Sequence, residues 1–195
     1  MKAVPSERCG SCGRDVAAHD TVQTSGEEGP EMLCCRCFNE RAAEQMGLNF
    51  AHPAFEAMML TDCRGAGHEF HFRTQLVPSG LLVEAFELKG GWPGGYKFAV
   101  FGDFEEDAME LFGELLGRMR RALARKDLKA GETGREIGPE RTVRGRITWD
   151  DESDGRLPLL VVDGEEVTWD ELGRMLMTFE GFQLRLEVRD RTDEV

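Results

Sequence analysis

Basic residues are outnumbered in this chain of 195: 24 Lys and Arg stand against 37 Asp and Glu, a formal net charge of −13. An acidic excess of that size repels a polyanion, which disfavours non-specific binding of DNA or RNA by the surface as a whole. Long apolar runs are lacking as well. The longest, Leu157 to Val162, falls far short of the roughly 20 residues that cross a bilayer, so no membrane association is expected. The first residues, MKAVPSER, lack the apolar centre of a secretory signal. A cytoplasmic chain keeps its thiols reduced, so the six cysteines are expected as metal ligands or free thiols rather than disulfides. A membrane protein, a secreted disulfide scaffold and a generally basic nucleic-acid binder are thereby set aside. The hydrophobic fraction of 41% still suffices to bury a core, in one domain or in small ones.

Five of the six cysteines fall within the first 37 residues, as Cys9-Gly-Ser-Cys12 and Cys34-Cys35-Arg36-Cys37. Two Cys-x2-Cys pairs at this separation supply four thiolates for a tetrahedral zinc, each tight turn bringing two sulfurs together. Gly13 can take positive φ and aim backbone N–H groups at the sulfurs, offsetting their charge. The second pair opens a helical stretch, Phe38 to Met46, stopped by Gly47, and a helix N-terminus favours thiolates through its dipole. Ser25–Pro30 supplies a hairpin turn between the pairs. This order of knuckle, hairpin and helix resembles a treble clef. Cys9, Cys12, Cys34 and Cys37 are the expected ligands of one structural Zn2+, a closed set that leaves no position for substrate. Cys35 competes with Cys34 and is expected as a small packed residue, and His19 as a surface residue of the hairpin.

From Phe55 onward the pattern predicts an antiparallel meander: Ala57–Thr61, His68–Leu76, Leu81–Leu88 and Tyr96–Phe101. In the second strand Phe70, Phe72 and Thr74 share one face, and Glu69, His71, Arg73 and Gln75 the other. His68 and His71 therefore point to opposite faces and do not share a metal. Their motif is one residue short of His-Glu-x-x-His and lacks its helix. Gly90-Gly-Trp-Pro-Gly-Gly95 has no following Gly-Lys-Ser/Thr and reads as a flexible hairpin with Trp92 over the sheet. A long helix is expected from Asp103, with Asp103 and Glu106 as a capping box and a stripe of Leu111, Leu115, Met119 and Leu123 among its members. Gly113 and Gly117 sit four apart on one flank, which implies close approach of a strand or a partner helix.

Charge is uneven along the chain. Residues 118–146 carry +6, between flanks of −3 and −7 before and −9 after. Cations at a helix C-terminus suit its dipole, and they also offer a docking patch for an acidic surface or a nucleic-acid backbone. No aromatic residues interleave with them, so base stacking is not indicated. Residues 127–140 read as a linker rich in Gly and charge. Beyond it come a strand at Arg141–Trp149, an acidic turn at Asp150–Gly155 without the spacing of a calcium loop, and a strand at Leu157–Val162. The Asp163-Gly164 turn follows, then a helix capped by Thr168 and Glu171, and a final alternating strand, Phe182–Val188.

The expected fold is thus α+β: a zinc-finger module over 1–50, an antiparallel sheet with one long helix over 51–129, and a ββαβ unit over 130–195. The elements CGSCG…CCRCF, GHEFHF, EAFEL…GGYKF, RMRRAL, RGRITWD and VVDGEEVTWDELGRMLMTFEGFQLRLEV resemble an uncharacterised bacterial family with an N-terminal zinc finger. The resemblance spans essentially the full length and implies the same layout of modules, without an activity or catalytic residues.

Every strong motif is structural, so the leading expectation is a non-catalytic protein-interaction or adaptor protein with a protein partner. A nucleic-acid-associated regulator using the zinc module and the 118–146 segment is the alternative. A thiol enzyme would use Cys34-Cys35-Arg36-Cys37 for redox chemistry, or Cys63 as nucleophile with His68 or His71 as base.

Overall fold

The computed structural model of the chain describes residues 5–26, 29–132 and 134–193. Two short strands, β1 (Ser6–Arg8) and β2 (Asp15–Ala17), pair antiparallel on either side of the first cysteine pair. A hairpin of β3 (Thr21–Gly26) and β4 (Gly29–Cys34) follows, and its last residue, Cys34, is the N-cap of helix α1 (Cys35–Met46). Gly47 ends that helix in the left-handed region at φ 67°, the conformation glycine adopts without a Cβ penalty.

Strands β5 (Met58–Thr61), β6 (Gly67–Val77), β7 (Gly80–Lys89) and β8 (Trp92–Gly102) form an antiparallel meander in that order. Helix α2 (Ala108–Leu123) buries Leu111, Leu115, Met119 and Leu123 against Phe70, Leu76, Val83 and Val100, and this is the main core. The burial of this apolar stripe holds the helix on the sheet. The helix begins later than expected. Its cap is Asp107, whose carboxylate accepts the Met109 N–H at 2.7 Å, while Asp103 closes a separate turn with Glu106. Both aspartates precede a good helix sequence, and the chain leaving β8 spends the first of them on a turn.

The glycines of this region also behave differently. A Cβ at Gly113 would meet nothing within 4 Å, and one at Gly117 would meet only the Arg121 side chain. Neither glycine marks a close approach. The glycine-rich loop shrinks to Gly90 and Gly91, both at positive φ, because β8 already starts at Trp92. A register shift at Phe86/Glu87 takes up the extra residues. Trp92 is 56% exposed and does not cover the sheet.

Residues 127–140 are not a linker. They hold a hairpin, β9 (Leu128–Gly131) with β10 (Gly134–Ile137), in which Leu128 and Ile137 face each other and are both buried. Two large apolar residues among ten polar or glycine ones give too sparse an alternation to read as strands. Then β11 (Gly145–Thr148), β12 (Leu159–Val162) and β13 (Glu165–Thr168) make a three-stranded antiparallel sheet. Helix α3 (Trp169–Met177) follows, capped by the Thr168 hydroxyl, which accepts the Glu171 N–H. Leu128, Ile137, Val162, Val167 and Met175 are its core. The final strand of the expected ββαβ unit does not form: Phe182–Val188 has no strand neighbour among the described residues, and Phe182, Leu184, Leu186 and Val188 are between 62% and 77% exposed. Alternation defines a face, but only an adjacent open edge supplies the ladder. Beyond this segment Arg191 meets Glu84 at 3.2 Å, and the Arg118 guanidinium donates to the Thr192 carbonyl. No described helix is long and apolar enough to cross a membrane.

Candidate metal centre

The knuckle between β1 and β2 and the start of α1 bring four sulfurs together. The Sγ atoms of Cys9, Cys12, Cys34 and Cys37 all lie within 4.8 Å of one another. A tetrahedral zinc with Zn–S bonds of about 2.3 Å sets its sulfurs about 3.8 Å apart, so the four thiols fit such an ion after a small contraction. Local hydrogen bonds build this geometry. The Cys9 N–H donates to Arg14 O and the Gly13 N–H to Cys9 O, both at 2.9 Å, with Gly13 at φ 70°. The Gly10 N–H donates to Met32 O at 2.8 Å and so ties the knuckle to β4. Gly13 takes the expected conformation, but its own N–H serves a carbonyl, while the Cys34 N–H donates to a sulfur, Cys9 Sγ, at 3.3 Å.

Electrostatics divide the four thiols. Cys12 is exposed, and the Arg14 guanidinium, with Nε 3.4 Å from its sulfur, lowers its pKa to about 6. Burial pushes Cys37 up to about 12 and raises Cys34. At Cys9 burial also pushes upward, but backbone N–H groups of Cys12, Cys34 and Ser11 together bring the value below normal. A thiol that burial holds protonated becomes a ligand only when a cation replaces the proton. Leu33, Val16 and Phe38 close the apolar side of the cluster. Cys35 is fully buried on the other side of the helix start, its thiol raised first by burial and then by the Asp20 carboxylate.

Asn39, one turn into α1 and completely buried, fastens this module to the sheet. Its Oδ1 accepts the Leu76 N–H at 2.8 Å, while its Nδ2 donates to Thr74 O at 2.9 Å and to His52 Nδ1 at 2.8 Å. Strand β5 covers β6 only from Gly67 to Phe70. On the uncovered remainder of that edge, the carboxamide takes one N–H and one C=O two residues apart, as a strand peptide would. The sequence reading passed over Asn39. Its only local signal is an amide in an otherwise ordinary helical run.

The named histidines separate. His19 is not a surface residue: it packs edge-on to His71 at 5.2 Å and to Phe86 at 5.5 Å, and burial lowers its pKa. His19, His52, His71 and Phe55 line a cleft of about 320 Å³ between the four-cysteine module and the sheet. Arg73 at its wall is committed to Glu84, at 2.6 and 2.9 Å. His68 lies on the opposite face of β6 from His71, as expected. Its Nδ1 is 2.8 Å from Glu87 and its Nε2 3.4 Å from Asp62. This imidazole is taken by two carboxylates, whereas Cys63 is exposed.

Half of the basic island is consumed inside the molecule. Lys126 pairs with Asp62 at 2.9 Å, Lys129 with Glu136 at 3.1 Å, Arg144 with Asp127 at 2.9 Å, Arg135 with Glu171 at 2.7 Å and Arg118 with Glu114 at 2.6 Å. Asp163 adds a second tie: it sits at φ 55° and its carboxylate accepts the N–H groups of Asp127 and Leu128. The acidic segment is the solvated turn expected, with Asp150 accepting the Glu152 N–H.

The Lys126 ammonium, helped by the N–H groups of Ala66 and Arg64, holds the Asp62 carboxyl well below the usual carboxylate range. A depressed carboxylate stabilises the fold fully above its unfolded value of about 3.9, and that contribution is lost as pH falls towards the folded value. Urea titrations from about pH 6 to pH 2 are expected to show stability falling steeply below about pH 4. Asp62→Asn is expected to be less stable at neutral pH and to fall less steeply. An unchanged acid limb in that variant would remove Asp62 as its source.

Three family models match consecutive parts of the chain, each described as a domain of unknown function: DUF7685 at residues 8–49, DUF7686 at 51–124 and DUF7713 at 127–193. No curated protein and no solved structure matches the chain. The three domains in succession, with the four-cysteine cluster inside the first, fit an uncharacterised family.

Proposed function

We propose that Cys9, Cys12, Cys34 and Cys37 hold one structural zinc in a treble-clef-like module, and that the chain is a non-catalytic protein-interaction protein of the cytoplasm. The convergence of four sulfurs within 4.8 Å carries this reading. Four thiolates close a tetrahedral shell, so the ion would offer no position to substrate or water. The order of knuckle, β3–β4 hairpin and α1 supports the treble-clef comparison. A thiol enzyme is the weaker alternative, because Cys34 and Cys37 would be ligands and His68 is occupied by carboxylates. A nucleic-acid-associated role loses the cations that five internal ion pairs engage.

The test is elemental analysis of the full chain purified without added metal, combined with thiol labelling before and after displacement of the ion into a strong zinc chelator. One zinc per chain is expected, with Cys63 labelling freely and the four ligands labelling only after displacement. Fast labelling of Cys34 or Cys37 in the untreated protein would replace this proposal with the redox alternative. Pull-down from cell extract with and without nuclease then separates the interaction readings: a specific protein that persists after nuclease is expected, and recovery of nucleic acid alone is the opposing result.

A further inference from the structure

The segment after α3 has the composition and pattern of a strand but no sheet. Phe182, Leu184, Leu186 and Val188 alternate with Gln183, Arg185, Glu187 and Arg189. The apolar four are the most exposed run of large hydrophobic side chains, at 62%, 73%, 77% and 69%. Residues 183–188 make no main-chain hydrogen bond among the described residues. A row of wet Leu and Val beside unpaired backbone groups is the arrangement that recruits another strand.

Charge and period together select the recruit. When two copies of the segment lie antiparallel with Leu186 on the two-fold axis, Leu184 stands opposite Val188, Arg185 opposite Glu187, and Gln183 opposite Arg189. The same face is apolar in both strands, and the Arg185–Glu187 pair occurs twice by symmetry. Moving the register by one residue sets apolar against polar side chains. Centring it on Arg185 keeps the faces matched but sets Arg185 against itself. We propose that this segment is a self-association strand whose partner is the same segment of a second copy of the chain, paired antiparallel about Leu186. The proposal stands apart from the metal reading, since none of its residues touches the cysteine cluster. A two-stranded ribbon alone is marginal in water, so the dimer is weak and forms reversibly with concentration. The far end of each segment is already tethered, through Arg191 to Glu84 and Thr192 to Arg118, which lowers the ordering cost of pairing.

Sedimentation equilibrium of the full chain over a range of concentrations tests this. A reversible monomer–dimer equilibrium is expected, and Leu186→Asp, which sets two carboxylates against each other on the axis, is expected to weaken it by about 100-fold. Arg185→Glu alone places like charges opposite each other at both symmetric positions and is expected to weaken it about 10-fold. Adding Glu187→Arg to that variant is expected to restore the dimer to within about 3-fold of the parent. All three changes are at exposed positions outside the apolar cores, and circular dichroism is used to check that each variant is folded. A chain monomeric at every concentration, a dimer indifferent to Leu186→Asp, or a double variant no tighter than Arg185→Glu would each overturn the proposal.

Discussion

Cys34→Ser is expected to abolish zinc binding and melt the N-terminal module, whereas Cys35→Ser, one residue away, retains the ion. Cys34 is at once a proposed ligand, the last residue of β4 and the N-cap of α1. Its replacement would remove a thiolate from a site whose folding energy comes from the metal, on the order of 10 kcal/mol in isolated zinc modules. The small cluster of Leu33, Val16 and Phe38 is too little apolar surface to hold the knuckle and hairpin alone. The readouts are zinc content, loss of helical ellipticity equivalent to the 12 residues of α1, and protease cleavage confined to the first 50 or so residues. Cys35→Ser buries a hydroxyl in place of a thiol, at a cost of about 1–3 kcal/mol, with metal content unchanged. Equal zinc loss in both variants would contradict the assignment of Cys34 over Cys35.

Asn39→Leu is the second large effect. It keeps the same branched heavy-atom skeleton, though bulkier, but strands the Leu76 N–H, the Thr74 carbonyl and His52 Nδ1. Each buried polar group left without a partner costs about 1–3 kcal/mol, so a total loss of about 3–5 kcal/mol is expected once some water enters. Asn39→Asp separates the two halves of the bridge. Its carboxylate still accepts from Leu76 N–H but faces the Thr74 oxygen, so it is expected to be destabilised as well and to recover at low pH, where a protonated acid donates. Urea unfolding at pH 7 and pH 4 measures both variants. Asn39→Asp as stable as the parent at pH 7 would show that the Thr74 contact contributes nothing.

The parts legible in sequence are those whose cause is local. Cys-x2-Cys turns, the period-2 faces of β6 and the stripe of α2 each follow from residues within one element. Thr168 as a helix cap is local too. What escaped depends on partners far along the chain. Arg135 and Lys126 read as free cations until Glu171 and Asp62 are brought beside them by the fold. Leu128 and Ile137 read as isolated apolar residues in a linker, because the core that receives them comes from Val162, Val167 and Met175. Phe182–Val188 failed in the opposite sense: its pattern was strong, but no edge of its own sheet lies beside it.

Asn39 links the proposed metal site to the protein's resistance to aggregation. The stretch of β6 beyond Phe70 is an open sheet edge carrying apolar residues, and such edges template the addition of strands from other molecules. A helix side chain covers that stretch, and the same helix begins at two of the four clustered cysteines. Stripping the ion would therefore do more than unfold a small N-terminal cap. It would uncover a ready-made template in the middle of an otherwise intact sheet, so that a chain starved of metal becomes prone to aggregate as its concentration rises.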